Sequence, residues 1–210
     1  MIPHPEFLAS LREHRLLGIL RNAPSGSLKE LAAVVRETGL AFLEVTMNTP
    51  DATEQIATLR ALLDGTCQIG AGTVLDARQA EEAVCAGATF LVSPCFSREV
   101  QTFADARAIP TLPGAFTPQE IWEVHRGGAA LVKLFPAKSA GGAAYVKELR
   151  GPFGDIPLLA CGGVSAGNAK DYLAAGADAL AFGGSVFARL STRDFDGIRE
   201  DLLALVAGAR

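Results

Sequence analysis

Lys133 sits within an apolar run, Ala130-Leu131-Val132-Lys133-Leu134-Phe135-Pro136, that reads as a buried strand. The other four lysines (Lys29, Lys138, Lys147 and Lys170) fall in polar stretches where a solvated ammonium costs nothing. Burial strips an ammonium of hydration and favours the neutral amine. A neutral amine beside a carbonyl is a nucleophile, and lysine's covalent chemistry is Schiff-base formation. The structural alternative is a stem packed in the core with its head reaching a strand end.

Two more charged residues fall in strand-like runs: Arg21 ends Leu16–Arg21, and Glu44 lies within Ala41–Met47. Alternation along a strand places Phe42, Glu44 and Thr46 on one face and Leu43, Val45 and Met47 on the other. The apolar second set suits contact with helices, so Glu44 points inward. The same test turns Leu131, Lys133 and Phe135 inward and Val132 and Leu134 outward. A carboxylate and an ammonium in one core also fit a buried salt bridge, but desolvating both ions can cost more than their attraction returns. An acid, an amine and a guanidinium converging at one end of a core read better as a reaction site.

These residues need elements to hold them. Apolar runs recur about every 20 to 25 residues, the period of a strand plus a crossover helix. They are Leu16–Arg21, Ala41–Met47, Gln68–Val74, Thr89–Pro94, Ala108–Gly114, Ala130–Pro136, Pro157–Gly163 and Ala179–Gly184. Eight such strands close a barrel. Helical spacing joins Leu28, Leu31, Val34 and Val35, and likewise Ile56, Leu59 and Leu62. Thr49-Pro50 and Thr117-Pro118 each place a capping hydroxyl before a proline at the first helical position, and Glu120 completes a capping box. Gly39, Gly87, Gly128 and Gly176 fit left-handed helix ends. Residues 5–15 and 192–208 read as extra terminal helices. The expected fold is a single (β/α)8 TIM barrel spanning residues 1–210 with an extra N-terminal helix, and an open doubly wound sheet is its rival.

Two glycine pairs describe a ligand. Cys161-Gly162-Gly163-Val164 ends the seventh run, and Phe182-Gly183-Gly184-Ser185 ends the eighth. Glycine pairs let backbone N–H groups approach an anion, and barrel phosphate sites lie in the loops after strands seven and eight. Tight turns into helices would use glycine too.

Composition narrows the partners. Net charge is -4 without a basic stripe, which argues against nucleic acid and anionic membranes but permits a small anionic substrate. His4, His14 and His125 lie away from the strand ends, so no histidine–carboxylate set for zinc or another metal is expected. The four cysteines, Cys67, Cys85, Cys95 and Cys161, are scattered, as in a reduced cytoplasmic protein. Met1–Glu6 shows no signal peptide, and no apolar stretch reaches membrane-spanning length.

At these residues the chain resembles the 2-keto-3-deoxy-6-phosphogluconate (KDPG) and 4-hydroxy-2-oxoglutarate (KHG) aldolase family, which includes a phosphogalactonate branch. The matching stretches are Gly18-Ile19-Leu20-Arg21, Leu43-Glu44-Val45-Thr46, Gly70–Leu75, Val92-Ser93-Pro94, Pro113-Gly114, Val132–Ala137 and Gly162-Gly163-Val164, in family order.

The resemblance implies a class I aldolase on a (β/α)8 barrel, usually a homotrimer, that uses a covalent Schiff base and no cofactor or metal. It makes Lys133 the Schiff-base lysine and Glu44 the general acid/base. Thr73 and the Arg21 region would hold the pyruvate carboxylate, with Thr46 and Asn48 beside them and Pro94 and Phe135 lining the pocket. Gly162, Gly163, Gly183, Gly184 and Ser185 would receive a distal phosphate. Asn48 stands where the gluconate branch has arginine, as in the galactonate branch. Cys161 stands where the gluconate branch has threonine and the galactonate branch valine. The substrate implied is the phosphogluconate acid, with its C4 epimer or 4-hydroxy-2-oxoglutarate as alternatives. A phosphosugar isomerase or epimerase on the same barrel, with Glu44 as base, is a rival reading, as is a barrel that binds a phosphorylated metabolite without turning it over.

Overall fold

A computed structural model describes residues 4–209. The reading of Met1–Glu6 therefore falls partly on residues outside those described. The first half of the chain runs α1 (Pro5–His14), β1 (Leu16–Leu20), α2 (Leu28–Thr38), β2 (Phe42–Thr46), α3 (Ala52–Leu62), β3 (Gln68–Gly72), α4 (Ala77–Cys85), β4 (Leu91–Val92) and α5 (Arg98–Asp105). The second half continues with β5 (Thr111–Leu112), β6 (Gly114–Ala115), α6 (Pro118–Arg126), β7 (Val132–Leu134), α7 (Ala137–Ala140), α8 (Ala143–Leu149) and β8 (Leu158–Cys161). Next come α9 (Ala169–Ala174), β9 (Ala179–Phe182), α10 (Gly184–Phe187) and α11 (Phe195–Ala209).

All pairings are parallel, in the order β5-β4-β3-β2-β1-β9-β8-β7-β6. The two end strands are consecutive in the chain and joined by Pro113, so the sheet curls into a barrel whose last seam is covalent. The open doubly wound sheet is thereby excluded. The expected fifth strand is two short strands, and the reason is chemical. Proline has no N–H to donate across a sheet, so the ladder breaks at Pro113. The carbonyl of Pro113 still accepts from Lys133 N at 2.9 Å, which keeps β7 in register with both pieces.

Strand alternation divides the core as the sequence implies. Leu43, Val45, Val132 and Leu134 join a shell packed under the helices. Phe42 and Leu131 belong to the barrel interior with Phe90 and Leu159. One face of α1 buries Phe7, Leu8 and Leu11 beneath the barrel, and Phe7 stands edge-on to Phe42 with ring centroids 5.6 Å apart. This plug seals the end opposite the C-terminal strand ends. The helical face Leu28, Leu31, Val34 and Val35 is wholly buried in α2.

The α6 capping box forms as its sequence implies, with Thr117 accepting from Glu120 N and Glu120 accepting from Thr117 N. Thr49 does not cap a helix. Helix α3 begins three residues later, after Asp51, and buried Thr49 instead pairs with Thr46 Oγ1 at 2.9 Å and accepts from Asn22 N at 3.0 Å. A short buried hydroxyl finds better partners in two neighbouring strand ends than at an exposed helix start.

Candidate active site

Glu44 and Lys133 both lie inside the barrel, 1 % and 6 % exposed. Each stands two residues beyond an apolar layer residue, Phe42 and Leu131 respectively, so the strand period lifts both toward the C-terminal mouth. Room for the acid comes from Gly72. A methyl group there would lie 2.2 Å from Glu44 Oε1 and 2.6 Å from Cδ, so the carboxylate occupies the space a side chain would take. Gly70, two residues earlier, makes room in the same way for the Phe90 ring, at 2.3 Å. The Gly70-Ala71-Gly72 alternation therefore builds a floor of aromatic rings and a pocket for one acid above it.

Glu44 Oε2 is buried without a hydrogen-bond partner. Burial raises the Glu44 carboxyl above the ordinary glutamate range, while the charges of Lys133 and Arg21 pull it back down. An acceptor left bare in the core is costly unless a ligand or water meets it. Lys133 Nζ lies 5.2 Å from the Phe135 ring centroid. Burial pushes the Cys161 thiol up to about 11, with Lys133 and Arg21 opposing the rise and Glu44 adding to it. Glu44, Lys133, Arg21 and Cys161 thus share one electrostatic environment, and Cys161 is a small neutral wall rather than a thiolate.

Arg21 reaches across the mouth, donating to Asn48 Oδ1 at 3.2 Å and to Thr73 Oγ1 at 3.3 Å. Thr73 adopts φ 56, a left-handed conformation that a β-branched residue rarely takes and that is a recurrent form of strain at functional sites. Arg21, Asn48 and Thr73 form a polar cluster suited to a carboxylate.

A cavity of about 470 Å³ opens at this end, lined by Arg21, Phe135, Cys161, Gly162, Gly163, Gly183, Gly184 and Ser185 among others. Gly162 and Gly163 take φ 99 and 81. Gly183 is needed for close approach, since a methyl there would lie 2.5 Å from the Ile19 carbonyl oxygen of β1. At the opposite end a cavity of about 400 Å³ lies among Glu13, His14, Arg15 and Thr38, away from the buried charges.

Thr46 and Pro94 do not line that cavity, and neither do Glu44, Asn48, Thr73 and Lys133. Thr46 is fully buried with its hydroxyl engaged by Thr49, so it braces the β1 and β2 ends rather than facing the cavity. Pro94 packs its carbonyl where a side chain on Gly114 would sit, at 2.0 Å, and Gly114 is the register partner of Lys133. Gly72 and Thr49 are residues whose positioning roles the sequence reading did not assign. Their signals lie in pairings between strands, which linear spacing does not display.

Among the described residues, no group of three or more His, Cys, Asp and Glu side chains is arranged to hold a metal, and no helix is long and apolar enough to cross a membrane.

The family model for KDPG and KHG aldolase matches residues 8–200. The chain belongs to the KDPG and KHG aldolase family. It is 38 % identical over 165 residues to the 2-dehydro-3-deoxy-phosphogluconate aldolase of Pseudomonas aeruginosa, covering 78 % of this chain and 74 % of that one. It is 34 % identical over 176 residues to the probable 2-dehydro-3-deoxy-6-phosphogalactonate aldolase of Rhizobium meliloti, covering 83 % and 82 %. A crystal structure of the KDPG aldolase of Legionella pneumophila, with pyruvate captured as a covalent carbinolamine intermediate, superposes with a TM-score of 0.86 at 27 % identity, covering 94 % and 97 %. These KDPG and KHG family relatives do not favour the isomerase or epimerase reading.

Proposed function

We propose that this chain is a class I aldolase that cleaves 2-keto-3-deoxy-6-phosphogluconate to pyruvate and glyceraldehyde 3-phosphate, with Lys133 as the covalent residue. The observation that carries the reading is the buried pair inside the barrel, an amine and a carboxyl, the latter with a bare oxygen, sharing one electrostatic environment with Arg21 and Cys161, which line a cavity edged by two glycine pairs.

The unprotonated Lys133 amine adds to the C2 ketone. Glu44 moves protons as the carbinolamine loses water and becomes an iminium ion. That cation withdraws electrons, so ionised Glu44 takes the C4 hydroxyl proton, the C3–C4 bond breaks, and its electron pair enters the iminium to form an enamine. The aldehyde product departs. Protonation at C3 regenerates the iminium, and water releases pyruvate and the free amine. Arg21, Asn48 and Thr73 would hold the substrate carboxylate. Backbone N–H groups of the glycine pairs would hold the distal phosphate, so its binding orients C2 against Lys133. Loss of the gluconate-type arginine at Asn48, together with Cys161, favours testing the C4-epimeric galactonate acid as a second substrate.

Borohydride reduction in the presence of pyruvate, followed by peptide mass mapping, tests the mechanism. A reduced adduct on Lys133 and pyruvate release from the phosphorylated keto acid are the expected results. No adduct on any lysine of the folded protein would remove the Schiff-base reading.

A homotrimer belongs to the same proposal. Its support is an exposed aromatic surface, Phe116 at 40 % and Trp122 at 45 %, with Trp122 stacked on Phe153 at 6.4 Å. Sedimentation equilibrium should return the mass of three chains, and a monomer mass would refute the assembly.

A further inference from the structure

Lys138 follows the Schiff-base strand, and its side chain is exposed. Its stem nevertheless has a fixed place. A methyl group on Gly163 would lie 2.6 Å from Lys138 Cβ, 2.8 Å from Cδ and 3.2 Å from Cγ, so the stem runs across the open face of that glycine. The backbone joins the same two pieces, with Lys138 N donating to Gly162 O at 3.0 Å. A trans peptide sets its N–H opposite its carbonyl, so this bond turns the Gly163 N–H away from α7. Asn168 Nδ2 holds the Gly163 carbonyl at 2.9 Å and fixes the turn from its other side. Two bonds separate Cδ from Nζ, which confines the ammonium to the rim of the Gly162–Gly163 turn. No acidic side chain of the described residues pairs with it, whereas arginines elsewhere on the surface form ion pairs with carboxylates.

Among the residues lining the cavity Arg21 alone is charged, and Lys138 lies outside that lining. Arg21 stands beside Asn48 and Thr73 at the ends of β1, β2 and β3, and Lys138 stands beside the glycine turn after β8. Backbone N–H groups supply dipoles to a dianion but no countercharge. A lysine acts on phosphate as a mobile point charge, which suits a group at the rim.

We propose that the Lys138 ammonium is the countercharge for the substrate's distal phosphate at the Gly162–Gly163 turn, and that it sets the preference for a phosphorylated over an unphosphorylated keto acid. This rests on the aldolase reading above and adds to it a specificity residue that lies outside the buried machinery.

The test compares kcat/KM for 2-keto-3-deoxy-6-phosphogluconate with that for the same acid lacking phosphate, in the wild type, Lys138→Met and Lys138→Arg. Methionine keeps an apolar stem over Gly163 and removes only the charge. The ratio of the two kcat/KM values should fall about tenfold in Lys138→Met, chiefly through KM for the phosphorylated acid. Lys138→Arg should retain most of the ratio. An unchanged ratio in Lys138→Met, with the wild type active, would reduce Lys138 to a cover for glycine and leave the aldolase reading standing. A wild type that prefers neither acid would overturn the proposal alone. A wild type that cleaves neither acid and traps no pyruvate would overturn both.

Discussion

Lys133→Met should fold, with a melting temperature at or below that of the wild type, and release pyruvate at least about 10⁴-fold more slowly, the order lost when a covalent nucleophile is deleted. Both halves follow from where the residue sits. Lys133 is buried in β7 between Val132 and Leu134, with Phe135 beside its head. Methionine fills the stem's volume and keeps the core packed, although Glu44 loses the neighbouring charge that opposes its burial, so the fold survives at some cost in stability. What disappears is the only amine in the barrel interior among the described residues. Borohydride with pyruvate should then add no mass to the variant. That readout separates the chemical role from a packing defect, which would slow turnover while leaving a trappable amine. More than a trace of turnover in a protein that forms no adduct would end the Schiff-base assignment.

Much of this arrangement is legible along the chain because two periods carry it. Strand alternation alone turns Glu44 and Lys133 to the inside, and the interior and outer clusters divide Phe42 from Leu43 and Leu131 from Val132 as that alternation requires. Glycine pairs at the ends of two runs mark the cavity rim, Gly162 and Gly163 through a left-handed backbone and Gly183 through its close approach to the Ile19 carbonyl. What spacing hides is contact between distant segments. Thr49 reads as a helix cap by its proline neighbour, yet Thr46 and Asn22 claim its hydroxyl. Pro113 lies inside an apolar run, and only the closing of the barrel turns its missing N–H into a seam between two strands. Gly72 looks like part of a flexible strand end until Glu44, 28 residues earlier, is seen to fill the space of its absent side chain. Lys138 lies in a polar stretch, and its relation to Gly163 exists only after β7 and β8 pair.

Glu44→Gln should keep the fold, bind substrate and lower turnover by about 10²–10⁴-fold, the range for a positioned general acid/base. Because the carboxyl serves several proton transfers, borohydride trapping of pyruvate should slow as well as cleavage. A change confined to cleavage would assign carbinolamine dehydration to another group. The same variant should change how stability responds to pH. Burial holds the folded Glu44 carboxyl above the ordinary glutamate range, against the pull of Lys133 and Arg21. The folded state therefore keeps this proton at pH values where the unfolded chain has released it. The group's contribution to stability then falls as pH rises from the ordinary glutamate range through the raised folded value, and is constant outside that window. Glutamine has no such proton, so urea unfolding of Glu44→Gln should lose that downward component, and identical pH profiles for the two proteins would show that burial does not raise the acid. Gly72→Ala separates position from identity. Its methyl would fall 2.2 Å from Oε1 and must displace the carboxylate, so turnover should drop although the acid is still present. If Gly72 acts only by seating Glu44, adding Gly72→Ala to Glu44→Gln should cost little further activity, whereas two independent roles would multiply.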